Sequence, residues 1–418
     1  MPATPAPQET AYLARAVAYL VVAGMVIAAA WVYRQGFYKA MPFPKNTFVF
    51  LPTDHFNDFF NFIGPVRAED PYSYQWSNYF PFSYLLVYPL VQLSRSQITD
   101  LYLLLVCGGV CWYLFAQLDS LRLADRLGVT FILGIFTYPM VFMIDRGNFE
   151  AFVVLLLIGF VWALLTDRRA VAIAFLGAAG AMKGVPLIFV AVFLIRRDFA
   201  AVGWTIAVAV ALNVAGTVFY GFDVPHALDL LRKNLDLYRE GYIIGDAGLG
   251  WSTSLWCALK VLMVDGLGAD AGTVRSVLPV YEAGAALAGF GLVAALLLRP
   301  YAVWQQITLL TSATILLPEV SGDYKRLHLI IPLALFLRYG ATDRWRWPYA
   351  AAFALLLVPL PYAWIRLDPP VGLSVVVAPV TLLALSVAVL LRPQGERDAA
   401  MVPSGTPASA GRVRERVA

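Results

Sequence analysis

The 418-residue sequence is poor in charge, cysteine and histidine. Only 14% of its residues are charged, against about a quarter in an ordinary soluble domain. Cys107, Cys111 and Cys257 are too few for a disulfide framework. The first two lie four apart in one apolar run and read as small packing residues. His55, His226 and His328 are too few for a His-rich metal centre; His55 near Asp54 and Asp58 leaves a carboxylate–imidazole site open, but the expectation is no metal and no cofactor. There is no Walker loop, no paired CxxC and no HExxH, which excludes the common soluble nucleotide-binding, redox and zinc-hydrolase motifs. A net charge of +4 is too small to imply nucleic acid and follows better from membrane topology. No internal repeat of the inverted type that transporters carry is visible.

What fills the chain instead is apolar. Hydrophobic residues make up 60% of the sequence and the mean hydropathy is +0.70. These values describe a polytopic membrane protein: an all-α helical bundle with about ten to twelve crossings. Residues 12–33 form a first span with no small-residue cleavage site after it, so it reads as an anchor and not a cleaved signal. Further spans are expected near 99–117, 127–144, 149–166, 200–220, 278–298, 303–318, 348–366 and 371–391. A single membrane domain over 1–392 is expected, followed by a Pro/Gly/Ser/Arg-rich disordered tail over 393–418.

The connectors assign sides. Arg122 and Arg126, Arg168 and Arg169, Arg196 and Arg197, and Arg338, Arg344 and Arg346 sit in short loops, and such loops face the cytoplasm. Both termini are then cytoplasmic in a cell (inner) membrane. The polar, aromatic segment 34–95 and the segment 221–277 lie outside. Residues 170–195 are too short for two crossings, which need about 40 residues. Arg pairs flank the stretch on both sides, so it reads as two half-length helices turning at Gly184 and Pro186, with a single kinked span as the alternative.

Ionisable groups at membrane depth are costly and each needs a reason. Asp58 stands among aromatics in Phe56-Asn57-Asp58-Phe59-Phe60. Asp145-Arg146-Gly147-Asn148-Phe149-Glu150 is squeezed between two spans. Lys183 lies at the turn of the half-helices, and Asp323, Lys325, Arg326 and His328 lie in a late polar break. On this topology all four sets open to the outer face. That combination suits sugar transfer from a lipid phosphate. A carboxylate is needed to take the acceptor's proton, and cations to meet the charge on the departing phosphate. Lys183, Lys325, Arg326 and Arg146 are the candidate phosphate ligands. His328 is a candidate for phosphate or acceptor, and Tyr79, Phe80 and Trp76, with Tyr72 and Tyr74, for stacking on the sugar. Each has a plainer reading: Asp58 as a helix cap, Arg146 paired with Asp145 or Glu150, Lys183 snorkelling, Lys325 and Arg326 on lipid headgroups, His328 as a packing residue, the aromatics as interfacial anchors.

The order of these motifs resembles the GT-C glycosyltransferases of family 87, the group that includes polyprenyl-phosphomannose-dependent mannosyltransferases of the PimE type. Asn57-Asp58-Phe59-Phe60, Tyr79-Phe80-Pro81-Phe82, the Arg146-Gly147-Asn148 turn, the Gly-rich run from Gly177 to Lys183-Gly184-Val185-Pro186, and Ser321-Gly322-Asp323-Tyr324-Lys325 carry the likeness. It runs over about 50–340. The chain departs from the family pattern in lacking the Gln of the turn. The resemblance implies an inverting, metal-independent transfer of a hexose such as mannose, or a pentose. The donor would be a polyprenyl-phosphate sugar, the acceptor a glycolipid or envelope polysaccharide, and Asp58 the general base. The rival reading is a multi-pass transporter or lipid-linked-sugar flippase, which shares the composition and the buried charges.

Overall fold

A long apolar run becomes a helix in a bilayer because only a helix satisfies all of its backbone groups from within. The computed structural model, which describes residues 7–49, 55–68, 71–73, 77–360 and 363–394, is helical through nearly all of these runs. In chain order the helices are α1 (Pro7–Tyr33), α2 (Asn57–Arg67), α3 (Pro81–Val87), α4 (Arg95–Gln117), α5 (Leu123–Ile135), α6 (Tyr138–Arg146), α7 (Glu150–Leu165), α8 (Arg169–Met182), α9 (Ala191–Ile195), α10 (Phe199–Phe219), α11 (Val224–Tyr238), α12 (Leu255–Val261), α13 (Ala271–Leu298), α14 (Val303–Leu316), α15 (Ile330–Leu335), α16 (Arg346–Leu356) and α17 (Ser374–Leu390). The protein is an all-α polytopic membrane protein.

Gln8–Tyr38, α4, α10 and α13 are each long and apolar enough to cross a bilayer, and α5 with α6 would form a fifth crossing, bent by 49°. Large apolar side chains on these helices face outward, among them Trp204 and Val218 on α10 and Leu287 and Phe290 on α13. Such a surface suits lipid and not water. The other apolar segments are shorter: α7, α8, α17 and the stretch Val185–Ile195 run between 10 and 17 residues. The expected ten to twelve crossings are therefore not all full-length helices.

The stretch 170–195 is broken where the sequence indicates. α8 stops at Met182, Lys183 takes an extended conformation, and a 3-10 turn from Val185 leads into α9. The two ends of the stretch meet. Arg169 at the start of α8 donates from Nε and Nη2 to the carboxylate of Asp198, at 2.6 and 2.8 Å. Near the turn, a Cβ on Gly180 would lie 2.4 Å from Leu187. With 14 residues, α8 rises about 21 Å, short of a hydrocarbon core of about 30 Å. The chain goes in and comes back, and Lys183 is left at the tip.

One expectation needs correction. The span near 348–366 ends at Leu356; Pro359 and Pro361, which lack the amide hydrogen a helix needs, follow it. The chain then forms an antiparallel pair, β1 (Trp364–Leu367) with β2 (Pro370–Gly372), the one sheet among the described residues. Residues 395–418 of the expected tail lie outside the described residues.

The Arg-rich connectors gather at one end. Arg15 reaches Asp125 at 3.8 Å, Arg346 reaches Glu9 at 3.7 Å and Arg338 reaches Asp119 at 3.0 Å. Single cysteines at Arg168→Cys and Arg196→Cys, in a background without the native cysteines, are expected to react with an impermeant maleimide from the same face of sealed vesicles. Labelling from opposite faces would show one kinked span instead.

Candidate active site

Asp58 is positioned by α2. Its apolar residues Phe59, Phe62, Ile63 and Val66 recur at helical spacing and are all buried, so one face of the helix is fixed in the core. Phe59 stacks on Phe149 at 4.8 Å and Phe62 on Tyr84 at 4.6 Å, which ties α2 to the start of α7 and to α3. Asp58 is not the helix cap. That position belongs to Phe56, in the left-handed region at φ 61°, whose amide donates to the Asp145 carbonyl at 2.6 Å. The Asp58 carboxylate is thus left for tertiary partners. Arg146 Nη2 donates to Oδ1, and Asn148 Nδ2 donates to Oδ2 at 2.6 Å.

The turn between α6 and α7 supplies both partners. α6 closes on Gly147 at φ 59°, ψ 39°, a conformation open to glycine at little cost. A Cβ there would also meet the Phe56 ring at 2.7 Å. Tyr102 on α4 donates to the Asn148 carbonyl at 2.9 Å and holds the turn from behind. The side-chain oxygen of Asn148 accepts from the Glu150 amide at 2.9 Å and from the Tyr79 hydroxyl at 3.2 Å. With the oxygen so engaged, the amide nitrogen has to face Asp58.

A second charge cluster lies on the far side of that amide. Glu150, 3% exposed, accepts from Lys183 Nζ at 2.7 Å and lies 3.2 Å from His328 Nε2. Lys183 Nζ also sits 4.2 Å from the centre of the Tyr79 ring. Burial pushes the Lys325 ammonium down to about 8, with Glu150 pulling the other way.

A cavity of about 230 Å³ joins the two clusters. Asp58, Arg146, Asn148, Tyr79 and Lys183 all line it. Its aromatic walls come from Phe62, Phe142, Phe149, Tyr238, Tyr242, Trp251 and Tyr324. A volume of this size suits a sugar ring, and aromatic faces suit its C–H surfaces. The wall at Trp251 is held by the pairing of Ser252 with Gly322, and by Thr253 N–H donating to the Ser321 carbonyl at 2.7 Å.

The sequence candidates separate into groups. Asp58, Arg146, Tyr79 and Lys183 share the cavity. Lys325 and His328 lie behind Lys183, lining a small adjoining chamber with Glu150. Arg326 lines neither space. It is fully buried, with Nη2 2.8 Å from Asp323 Oδ2 and its guanidinium 4.8 Å from the Tyr138 ring. Asp323 in turn accepts from Tyr138 at 3.0 Å and from Thr253 at 2.7 Å, so the pair locks α6 to the 252–254 and 323–329 segments. Phe80 does not face the cavity: its amide donates to the Met182 carbonyl at 3.1 Å, and its ring lies beside Gly184. Tyr72 is buried against Tyr84 and Phe222. Trp76 and Tyr74, like Asp54, lie outside the described residues. Among the described residues no group of three His, Cys, Asp or Glu side chains forms a metal-binding set.

The aromatics of 238–251 are site residues that sequence reasoning passed over, and Asn148 and Glu150, named there within the 145–150 set, were given no role at the site. The signal for Glu150 was present, as an acid opening a 16-residue apolar helix. Tyr238 and Tyr242, one turn apart and stacked at 4.8 Å, had the spacing of a shared helix face.

Among known families, residues 76–264 match the model of glycosyltransferase family 87. No curated protein and no solved structure matches the chain. The matched region holds Tyr79, the 146–150 turn, Lys183 and the aromatic wall through Trp251. Asp58, Lys325 and His328 fall outside it.

Gly147→Ala is expected to destabilise the protein by about 2 kcal/mol or more, from the left-handed backbone and the displaced Phe56 ring together. Thermal unfolding in detergent reads this, and an unchanged Tm would show that the turn relaxes without loss.

Proposed function

We propose that this chain, a multi-pass membrane glycosyltransferase whose residues 76–264 match family 87, moves a sugar from a polyprenyl-phosphate donor to a glycolipid or envelope polysaccharide acceptor, on the extracytoplasmic face, with inversion. The observation that carries the reading is one cavity holding a carboxylate, Asp58, and an ammonium, Lys183, with the Tyr79 ring between them.

In the proposed step the acceptor hydroxyl lies against Asp58. Both carboxylate oxygens are engaged, yet each keeps a second lone pair to receive a proton. The acceptor oxygen attacks the anomeric carbon as its proton passes to Asp58. The bond from that carbon to the phosphate oxygen breaks on the opposite face, and the electron pair leaves with the lipid phosphate. One displacement inverts the anomeric centre. The leaving phosphate gains a negative charge, and Lys183 stands where that charge develops, a placement that favours the transition state over the ground state. Arg146 offers a second cation at the same cavity, and Lys325 and His328 reinforce Lys183 from the chamber behind. Arg326, in this reading, holds the 323–329 segment that carries them.

Charge supports a monophosphate donor. The two lysines lining the chamber, Lys183 and Lys325, outnumber its carboxylate, Glu150, by one. A sugar phosphodiester carries one negative charge and matches it, whereas a lipid diphosphate carries more. The outer-face assignment draws on the Arg-rich connectors, which cluster at the N-terminal end of α1. Met25, farther along α1, packs against Tyr138, Phe142 and Trp251 near the cavity.

Asp58→Asn is expected to lower transfer by at least about 10²-fold, the usual share of a general base, with donor binding retained. Transfer of radiolabelled sugar by purified protein, across a panel of polyprenyl-phosphate sugars, measures it, and a fully active variant removes the proposed base. In the same assay Lys183→Ala is expected to raise the donor KM; an unchanged KM would place Lys183 in a structural role.

A further inference from the structure

Lys183 borders two spaces. One is the main cavity; the other is the chamber of about 10 Å³ that it shares with Glu150, Lys325 and His328. That chamber has room for about one water molecule and none for a phosphate. Lys325 and His328 open only to the chamber. Lys325 is 8% exposed and has no ion-pair partner within 4.0 Å among the described residues. Among the described residues the carboxylate lining the chamber is that of Glu150, whose two oxygens reach Lys183 and His328. Its backbone amide is tied to Asn148, so the carboxylate is aimed from a fixed point.

We propose that Glu150 is a positioning residue that holds the phosphate's place. In the donor-free protein it neutralises the cations that a lipid phosphate would otherwise meet, and an arriving phosphate gains Lys183 by taking it from Glu150. The inference rests on the phosphate-donor reading above. Its chemical sense lies in the product. The released lipid phosphate bears one more negative charge than the donor phosphodiester and binds the same cations more tightly. A resident carboxylate that reclaims Lys183 and His328 speeds the departure of that product. Glu150 thereby trades ground-state affinity for turnover, the direction in which binding energy is best spent. A purely structural ion pair would behave otherwise. Its loss leaves a buried ammonium unpaired, lowers stability and improves nothing.

The experiment is equilibrium binding of a polyprenyl monophosphate to the purified full chain in nanodiscs, for wild type, Glu150→Gln and Lys183→Ala. The expected result is about tenfold tighter binding for Glu150→Gln, the scale of one nearby charge removed, and weaker binding for Lys183→Ala. In steady state Glu150→Gln is expected to lower both kcat and the donor KM. Unchanged or weaker binding by Glu150→Gln, with Lys183→Ala still impaired, overturns the place-holding role and leaves the phosphate reading standing. Equal binding by wild type and Lys183→Ala, or none by either, removes the phosphate reading itself. Should Glu150→Gln fail to fold, Glu150→Asp decides. Its carboxylate, drawn back by one methylene, loosens its hold on Lys183, so binding tighter than wild type supports the role and equal or weaker binding overturns it.

Discussion

Charge without a partner is the constraint on which this structure depends. Inside an apolar bundle a lone ammonium or carboxylate has no water to solvate it, and stripping one member from a buried pair costs about 3–5 kcal/mol. Apart from Lys325, the basic side chains brought to the site are held by acids, and the turn from Asp145 to Glu150 is the hub. Asp145 takes His55, Arg146 takes Asp58, and Glu150 takes Lys183 and faces His328. Six consecutive residues thus tie down α2, the tip of the α8 hairpin and the 323–329 segment. None of these segments is near the others in sequence, so the pairing does the work of assembling the cavity as well as charging it. Arg326 and Asp323 form a separate pair on the far wall, closed off by Tyr138 and Thr253, and that pair fixes geometry without facing the cavity.

Much of this was legible in the sequence because it is local. An apolar run of a given length is helical in lipid whatever surrounds it, and α1, α4, α10 and α13 fall close to the runs that foretold them. The half-helix hairpin was legible too, since 26 residues between Arg pairs cannot cross twice. Asp58 and Lys183 stood out because an ionisable group in so apolar a chain needs a reason. What the sequence could not express is pairing. Arg146 was considered with Asp145 or Glu150, its neighbours, and it reaches Asp58 across 88 positions. Lys325 and Arg326 are adjacent and looked equivalent; one turns toward Glu150 and the other into a closed ion pair. The same limit hid the cavity's walls. Of the aromatics expected from 71–80, Tyr79 lines it, and Tyr238, Tyr242 and Trp251 join it from a segment far off in sequence. The misjudged helix at 348–366 differs in kind, for Pro359 and Pro361 were there to be read and hydropathy outvoted them.

The family match and the geometry constrain different parts of the molecule. The match reaches from just before Tyr79 to just past Lys260, and it holds the turn, the hairpin tip and the aromatic wall. Asp58 lies outside it, and its link to the matched region is physical: one bond from Arg146 and one from Asn148. An acid placed there by chance would be under no requirement to meet both donors of a turn that also carries the acid holding Lys183.

The choice of donors on Asp58 has a consequence for proton chemistry. A guanidinium is charged at any working pH, and an amide neither gains nor loses a proton there. Neither partner can compete for the proton that Asp58 would accept, nor pass one to it. Had a lysine stood at 146, the pair could have collapsed into a neutral acid and a neutral amine, and the base would have been spent before the acceptor arrived. Arg146 and Asn148 each take one oxygen of the half-buried carboxylate and together fix its direction. Lys183, the cation able to give up a proton, is kept on the other side of that amide and bound to a different carboxylate. The turn thus keeps apart the proposed base, which Arg146 and Asn148 hold, and the proposed phosphate ligand Lys183, which Glu150 holds.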